Sequence, residues 1–405
     1  MTKNLAALLL LTLSAPMAAS SEPRFAPKST TNYAKIFRQQ EQSLQDNAPI
    51  PVFVLVGQSN MVGHGILSEI DESTGQEKNA TLKWLATNVP DQFGMLLEDD
   101  GDLYHSVAIN HDDGASVRWE RIGKPIRSKQ KQPMQNAKWK TRQDVLVACN
   151  SRSVDDLSPH TTDHGKLQAG FCAGDPGQEG QQVGPELGFG WAIGDALSNN
   201  ESGNQSKALL LKIAWGGKSL AVDFRPPSSG GEVGTFYTSM IAMINNTLAD
   251  IGNIYPNEVG RSFQLAGFAW HQGRNDGCDD KMAKEYETNL ANLIRDVRKD
   301  LYAPNLPFAV AATGMVGFTE QSERRKEVIE AELDVSKYPE FEGNVVSVDT
   351  RPFARDPSPA SPTDFIYHWN SNAESYWLIG QNLGRSIMNI ILERQRAEDQ
   401  TVVVV

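Results

Sequence analysis

The sequence predicts an α/β protein in which helices cover both faces of a parallel sheet, which gives three layers. Two observations lead to this prediction. Apolar runs rich in β-branched and aromatic residues, of which residues 52–56 are the clearest, continue without polar interruption, as expected for strands buried on both faces. Segments with helical periodicity, such as residues 283–301, separate these runs. Strands that alternate with helices in this way are typical of parallel sheets.

Each expected element is identified by its own pattern. The strands are apolar runs bounded by Pro, Gly or polar residues, and they cover residues 49–57, 207–217, 263–277 (with the polar loop that follows the strand), 306–317 and 344–350. The helices have apolar residues at helical spacing, and they cover residues 185–198, 235–251, 283–301 and 371–395. The third helix shows this best, because Leu290, Leu293 and Val297 lie on one stripe.

Residues 66–180 differ from the rest of the chain. They are rich in Asp, Lys, Gln and His and show little periodicity, so we expect a long, loop-rich insertion with short strands. Two of the three cysteines, Cys149 and Cys172, flank one loop-rich segment and are the favoured disulfide pair, with Cys278 left over. Three free thiols are the alternative, because pairing cannot be deduced from sequence.

The N-terminus has the features of an export signal. Lys3 precedes a short apolar core at residues 5–13, and small residues follow it. The core is too short to span a bilayer, so we expect a cleaved signal peptide, a secreted or periplasmic protein and no integral membrane association. The predicted organisation is a signal peptide over 1–20, a lead-in over 21–48, one domain over 49–397 and a C-terminal tail over 398–405.

The composition restricts the partners. The 405 residues are 40% hydrophobic and 22% charged, which is ordinary for a globular protein with a large core. The net charge of −12 disfavours binding to nucleic acid, so no nucleic-acid partner is expected. Nothing in the sequence identifies a protein partner or an oligomeric state.

Residues suited to acyl-transfer chemistry follow three of the predicted strands. Active sites gather at the carboxyl ends of parallel strands, so we expect these residues to converge. Ser59 and one of the two glycines Gly216 and Gly217 can offer backbone N–H groups, and Gln272 can offer a side-chain amide. Together they would form an oxyanion hole, which stabilises charge on a carbonyl oxygen. His368 and Asp364, just before the last helix, can supply a base and the acid that orients it.

Four short blocks carry a resemblance to a known family. They are Gly-Gln-Ser-Asn-Met at 57–61, Ala-Trp-Gly-Gly-Lys-Ser at 214–219, Trp-His-Gln-Gly at 270–273 and Tyr-His-Trp-Asn at 367–370. In this order they resemble the SGNH (GDSL-like) hydrolase superfamily, specifically its sialate O-acetylesterase and carbohydrate acetylesterase branch, which includes acetylxylan esterases. Most of the insertion matches nothing in that family.

The resemblance implies a flavodoxin-like SGNH-hydrolase domain over residues 49–397 that carries a serine esterase site. Ser59 would be the nucleophile and His368 the base, and the substrate would be an acetylated polysaccharide or a sialic-acid-like sugar. Neither a cofactor nor a metal is implied. Further candidates to line the substrate site are Gln58, Asn60, Gly216, Glu186, Arg225, Trp270, His271, Arg274 and Asp276.

The identity of the triad acid stays open at this point. Asp364 lies four residues before His368, whereas many relatives place the acid three before it. Arg274 stands where relatives often have an acidic residue. Asp276, Glu186 or no acid at all are the alternatives. Two other functions also fit the fold, namely a non-catalytic carbohydrate-binding module and an esterase of non-carbohydrate esters.

Overall fold

The structure, a computed structural model, describes residues 49–98, 105–110, 117–122, 138–150, 155–175, 177–178, 180–198, 207–258 and 260–403. The predicted signal peptide and lead-in therefore lie outside the described residues. Residues from Pro49 onward belong to one compact unit. Among the described helices, none combines the length and the apolar character needed to cross a bilayer.

The described strands are short to medium in length. In chain order they are β1 (Ile50–Gly57), β2 (Gly65–Ile66), β3 (Ile70–Asp71), β4 (Gln76–Glu77), β5 (His105–Asn110), β6 (Val117–Ile122), β7 (Val145–Cys149), β8 (Asp163–Lys166), β9 (Gln182–Val183), β10 (Ala208–Ala214), β11 (Phe263–His271), β12 (Phe308–Ala311) and β13 (Val345–Val348). The described helices are α1 (Ser59–Val62), α2 (Leu82–Asn88), α3 (Pro90–Phe93), α4 (Pro185–Ser198), α5 (Thr235–Ala249), α6 (Ile251–Ile254), α7 (Asp280–Asp300), α8 (Glu323–Asp334) and α9 (Ala373–Val403).

A seven-stranded sheet forms the middle layer, and its order is β13-β12-β11-β1-β10-β7-β8. Its strands are parallel except for β8, which pairs antiparallel with β7 at one edge. The sheet is thus mostly parallel, as the apolar runs predict. The predicted α/β fold class is confirmed.

Alternate residues of β1 belong to two different cores. Val52, Val54 and Val56 pack with residues of α5, α7 and α8 on one face of the sheet. Phe53 and Leu55 pack with residues of α4 and α9 on the other face. Successive strand side chains point to opposite faces, so an uninterrupted apolar run is what a strand covered on both sides requires.

Two features extend the sequence prediction. The loop-rich insertion over 66–180 contains the short strands β7 and β8, and both belong to the central sheet. The last helix continues to Val403, so residues 398–403, which lie in the predicted C-terminal tail, are helical. Polar residues in the last turns weaken the apolar pattern there without interrupting the backbone hydrogen bonds of a helix.

The favoured disulfide is present. Cys149, at the end of β7, is bonded to Cys172, and Cys278 is a free, exposed thiol. The bond attaches the loop around Cys172 to the sheet, close to the carboxyl ends of the central strands.

Candidate active site

Three strands end side by side at the centre of the sheet. β1 lies between β10 and β11, and the chain crosses from one side of β1 to the other between these two strands. Such a reversal leaves a crevice at the carboxyl ends of the strands, where ligands bind in open α/β sheets. A cavity of about 310 Å³ lies here. Six predicted site residues line it: Gln58, Ser59, Gly216, Gly217, Arg274 and His368.

Ser59 begins α1 directly after β1. The backbone of Gln58 is extended, and its carbonyl accepts the N–H of Met61 at 2.7 Å. Position 57 requires glycine, because a Cβ there would lie 2.0 Å from the carbonyl oxygen of His271. The close approach of β1 to β11 and the tight turn together place the half-buried Ser59 at the cavity wall.

Gly217 follows β10 in a left-handed conformation with φ of +67°. A Cβ at this position would meet nothing within 4 Å, so backbone conformation rather than space requires the glycine. Within the described part of the chain, the backbone N–H groups of Ser59 and Gly217 donate to no acceptor. Both are therefore available to a ligand oxygen.

His368 lies in the short 3-10 segment Ile366–Ser371 that precedes α9. Residues 369–371 have φ values of +53°, +53° and +58°, although none of them is glycine. A left-handed conformation costs an L-residue about 1–2 kcal/mol. Surrounding bonds hold it, including one from the Asn370 side-chain amide to the carbonyl of Arg355 at 3.0 Å. Such strain persists where tertiary contacts fix one geometry, often at a functional site.

Asn60 lies beneath the His368 loop and does not line the cavity, which corrects its prediction as a substrate-lining residue. It is buried, and its Nδ2 donates to the carbonyl of Tyr367 at 3.2 Å. Its Oδ1 lies 3.1 Å from the hydroxyl of Tyr376, which also lies 3.3 Å from the carbonyl oxygen of His368. Asn60 therefore holds the loop of His368 next to the turn of Ser59.

A second histidine accompanies His368. The imidazole of His64 stacks on that of His368 with ring centroids 3.9 Å apart and planes 9° apart. Burial, followed by the effect of His64, lowers the pKa of His368 to about 4; Asp175 acts in the opposite direction, and Arg274 contributes to the lowering. Burial and the charge of Lys212 lower the pKa of His64 to about 4. Both rings are therefore neutral near pH 7, as a proton-accepting base must be.

Gln272 is placed differently from its prediction as an oxyanion donor. It is fully buried below the cavity, and its Nε2 lies 3.1 Å from Oε1 of Gln58, 3.0 Å from the carbonyl of Lys218 and 2.6 Å from Oδ2 of Asp276. An amide has only two N–H donors, so these internal acceptors occupy both. Gln272 supports the floor of the site and does not point an N–H into it.

Asp276 is buried beside Gln272 and cannot serve as the triad acid or line the substrate site. Its carboxylate accepts the backbone N–H groups of Leu220 and Ala221, each at 2.9 Å. Burial raises its pKa to about 6. These bonds fix the loop after β10, and with it the position of Gly217.

Asp364, the leading candidate for the triad acid, bonds to the backbone of its own segment and does not line the cavity. It is exposed, and its Oδ1 accepts the backbone N–H of Ser358 at 2.9 Å. It is absent from the lining of the cavity that contains His368. An Asp in a Pro- and Ser-rich segment commonly forms such a turn bond, and that is its role here.

Glu186, another candidate acid, forms a buried ion pair instead. Its Oε2 lies 2.6 Å from Nζ of Lys212, and both side chains are nearly inaccessible to solvent. Lys212 also donates to the carbonyl of Val62 at 2.8 Å and to that of Cys172 at 2.6 Å. The pair thus connects the end of α1 to the disulfide loop, and Glu186 is corrected as a substrate contact.

Three more predicted substrate contacts are structural. Arg225 donates to the carbonyls of Ala221, Ser229 and Gly230, which closes its own loop. Trp270 and His271 are fully buried at the end of β11. Burial lowers the pKa of His271 to about 3, which keeps its ring neutral.

Four residues that the sequence interpretation did not select complete the cavity: His64, Asp175, Asn275 and Tyr367. No hydrogen bond in the described part of the chain uses the Asn275 side-chain amide, whereas its backbone N–H is held by Gln58 Oε1 at 3.2 Å. Asn275 follows β11 closely, so its position just after a strand marks it as a candidate site residue in the sequence. Asp175 lies in the insertion, where no pattern pointed to it.

A larger cavity of about 500 Å³ adjoins the first. Both share His64, Asp175, Tyr367 and His368. Phe365 also lines the larger cavity, and the residues Phe365 and Tyr367 are 54% and 43% exposed respectively. Among the described residues, no group of three His, Cys, Asp or Glu side chains could hold a metal ion.

Comparison with solved structures found several similar chains. A protein from Arabidopsis thaliana has a TM-score of 0.46 and 18% identity, over 84% of this chain and 99% of that one. XAC1771, a carbohydrate acetylesterase from Xanthomonas citri, has a TM-score of 0.44 and 14% identity, over 84% of this chain and 56% of that one. NanS has a TM-score of 0.47 and 11% identity, over 86% of this chain and 98% of that one. No curated protein sequence matches the chain.

Comparison with protein-family models gives a match over most of the domain. The model described as "Carbohydrate esterase, sialic acid-specific acetylesterase" (SASA) matches residues 127–387, which is more than half of the chain. The matched range includes the blocks around Gly217, Gln272 and His368, so the resemblance inferred from those blocks is confirmed. The chain therefore belongs to the carbohydrate esterase family of sialic acid-specific acetylesterases and is a carboxylic ester hydrolase.

Proposed function

We propose that this protein is an exported serine esterase that removes O-acetyl groups from a carbohydrate through an acetyl-enzyme intermediate. One observation carries the proposal: Ser59, His368 and Gly217, from three distant parts of the sequence, line one cavity at the carboxyl ends of the central strands. A nucleophile, a neutral base and free backbone N–H groups are the parts that acyl transfer requires.

In the first half of the reaction, His368 accepts the proton of Ser59 as Ser59 Oγ attacks the acetyl carbonyl. The tetrahedral intermediate then expels the sugar oxygen, which takes the proton back from His368 and leaves as a hydroxyl. In the second half, His368 accepts a proton from water, and the resulting hydroxide attacks the acetyl group on Ser59. Acetate leaves, and Ser59 regains its proton from His368.

The charge on the former carbonyl oxygen needs donors that are already in place. The backbone N–H groups of Ser59 and Gly217 supply two of them. The side-chain amide of Asn275 supplies a third, because it lines the same cavity and is not used elsewhere among the described residues. Asn275 thus takes the role that the sequence prediction gave to Gln272.

The larger cavity beside the site favours a carbohydrate over a small ester. An acetyl group fits the cavity of about 310 Å³, and the sugar ring would extend into the adjoining cavity of about 500 Å³. There the exposed rings of Phe365 and Tyr367 offer apolar faces, and polar side chains surround them. Apolar surfaces with a few placed polar groups are typical of small-ligand sites.

We expect a fluorophosphonate probe to label Ser59 and acetate to be released from O-acetylated sugars. Ser59 Oγ would displace fluoride from the phosphorus of the probe, and the stable phosphonyl adduct resembles the tetrahedral intermediate, so peptide mapping of the adduct identifies the nucleophile. Acetylated xylan, an O-acetylated sialic acid and p-nitrophenyl acetate should be compared by kcat/KM. Activity on the aryl ester alone would favour a non-carbohydrate esterase, and absence of both labelling and acetate release would favour a binding module.

Export is part of the same proposal. The Cys149–Cys172 disulfide supports it, because disulfides persist in oxidising compartments. When the full chain is expressed with its N-terminus, we expect the mature protein to begin near residue 21 and to leave the cytoplasm. Retention of residues 1–20 on a cytoplasmic protein, seen by N-terminal sequencing of cell fractions, would contradict export.

A further inference from the structure

We propose that Asp175 is the carboxylate that positions His368 and stabilises its protonated form, the role that the sequence suggested for Asp364. The proposal deepens the esterase mechanism given above and rests on it. Asp175 lies in the insertion and is therefore far along the chain from His368.

Asp175 lies in the same cavities as His368. Asp175 lines both cavities in which His368 takes part, and it is the only Asp or Glu among the described residues that lines the smaller one. Glu69 lines the larger cavity, but its carboxylate is paired with Lys78 at 2.6 Å. The Asp175 carboxylate has no other partner in the described part of the chain, so it is free to accept an imidazole N–H.

Asp175 supplies a negative charge that the other neighbours of His368 do not. His64 stacks on one side of the His368 ring, Arg274 lines the same smaller cavity, and the Tyr367 ring packs edge-on with its centroid 4.6 Å from that of His368. His64 and Arg274 both disfavour a positive charge on His368, whereas Asp175 favours it. Without Asp175, no acidic side chain among the described residues that line the smaller cavity would balance the imidazolium that forms when Ser59 gives up its proton.

A disulfide and several hydrogen bonds hold the loop of Asp175 in place. The disulfide ties Cys172 to the end of β7, and the N–H of Gly174 donates to the carbonyl of Val62 at 3.3 Å. Nζ of the buried Lys212 bridges the carbonyls of Cys172 and Val62. The loop is therefore attached directly to α1, the helix that begins with Ser59, which suits a residue that must keep a fixed position relative to the nucleophile.

In the reaction, Asp175 neither gains nor loses a proton. As His368 becomes protonated, we expect the Asp175 carboxylate to accept a hydrogen bond from the ring nitrogen of His368 that does not face Ser59, which would fix the tautomer and the orientation of the ring. It also attracts the positive charge that His368 carries between proton transfers. Because Asp175 is exposed, water screens part of this attraction, and the effect is smaller than for a buried triad acid.

Replacing Asp175 by Asn tests the proposal. We expect kcat to fall about 10–100-fold with little change in KM, which is less than the loss of about 10⁴-fold at a buried triad acid. Removal of the negative charge should also lower the pKa of His368 below its value of about 4. The acidic limb of kcat/KM should therefore move to lower pH, and the His368 ring signal in NMR should titrate at lower pH. Asp175→Glu should restore part of kcat.

The matched control is Asp364→Asn, which removes an exposed carboxylate four residues from His368. We expect its kcat within about twofold of the wild type, because the carboxylate of Asp364 bonds only the backbone of Ser358 among the described residues. A disrupted loop would expose His368 and move its pKa upward toward the ordinary histidine value. An upward shift in Asp175→Asn, an unchanged kcat, or a large loss in Asp364→Asn would each overturn the proposal.

These outcomes differ from failure of the esterase mechanism itself. If the wild type releases acetate and loses this activity in Ser59→Ala, the mechanism stands and the Asp175 variants alone decide the positioning role. If Ser59→Ala keeps full activity, both the mechanism and the role of Asp175 are wrong.

Discussion

Replacement of Ser59 by alanine is expected to lower kcat for acetate release by about 10⁴-fold or more, a loss comparable to those seen when the nucleophile of a serine hydrolase is removed. The variant keeps the cavity and the free N–H groups, but it has no oxygen to form the acetyl-enzyme. KM should change little, because Ser59 contributes one small side chain to the wall. Steady-state acetate release and fluorophosphonate labelling measure the two consequences.

Ser336→Ala provides the matched control, since it removes a hydroxyl that bonds only the carbonyl of Leu333 among the described residues and lines neither cavity of the site. It should retain wild-type kcat and labelling. Equal melting temperatures of the wild type and both variants would show that the fold is intact. Acetate release by Ser59→Ala at more than about a tenth of the wild-type rate would rule out Ser59 as the nucleophile.

Replacement of Lys212 by methionine is expected to lower the free energy of unfolding by about 3–5 kcal/mol, the usual cost of leaving one member of a buried ion pair alone. Glu186 would then be buried without its cation. The carbonyls of Val62 and Cys172 would also lose the ammonium that bridges them. Urea unfolding with a two-state analysis measures the loss, and a lower kcat should accompany it because the bridge supports the active-site loops.

The double variant Lys212→Met, Glu186→Leu separates the effect of the unpaired carboxylate from the effect of the lost bridge between the two carbonyls. Removing both charges abolishes the unpaired carboxylate, so we expect most of the lost stability to return. The carbonyl bridge stays absent, so kcat should remain below that of the wild type. Either a single variant within about 1 kcal/mol of the wild type or a double variant as unstable as the single one would contradict a buried, mutually compensating pair.

Much of the fold follows from local patterns. The run 52–56 predicts a strand covered on both sides, and β1 does contribute to a separate core on each face of the sheet. The stripe containing Leu290 and Val297 predicts the helix α7, which the structure places over Asp280–Asp300. These patterns work because strand and helix periodicity decide which side chains can be buried together. β7 and β8 escaped this reasoning because short strands within polar sequence give little periodic signal.

The candidate site, like the fold, can be predicted only in part from the sequence. Ser59, Gly217 and His368 could be selected from the sequence, because strand ends and the family blocks mark residues within a few positions of regular structure. Gln272 and Asp276 were selected for the same reason, yet they form the floor of the site. Sequence position brings a side chain to the right edge of the sheet, but local packing decides whether it faces the cavity or the core beneath it.

Local patterns and the four family blocks are enough to predict the α/β architecture, the family, and the serine and histidine of the candidate site. Only the tertiary structure brought His64 against His368, paired Lys212 with Glu186 and placed Asp175 beside the base. The physical reason is that these contacts join distant segments through a disulfide and buried charges. Periodicity and spacing along the chain do not indicate which distant loops the fold brings into contact.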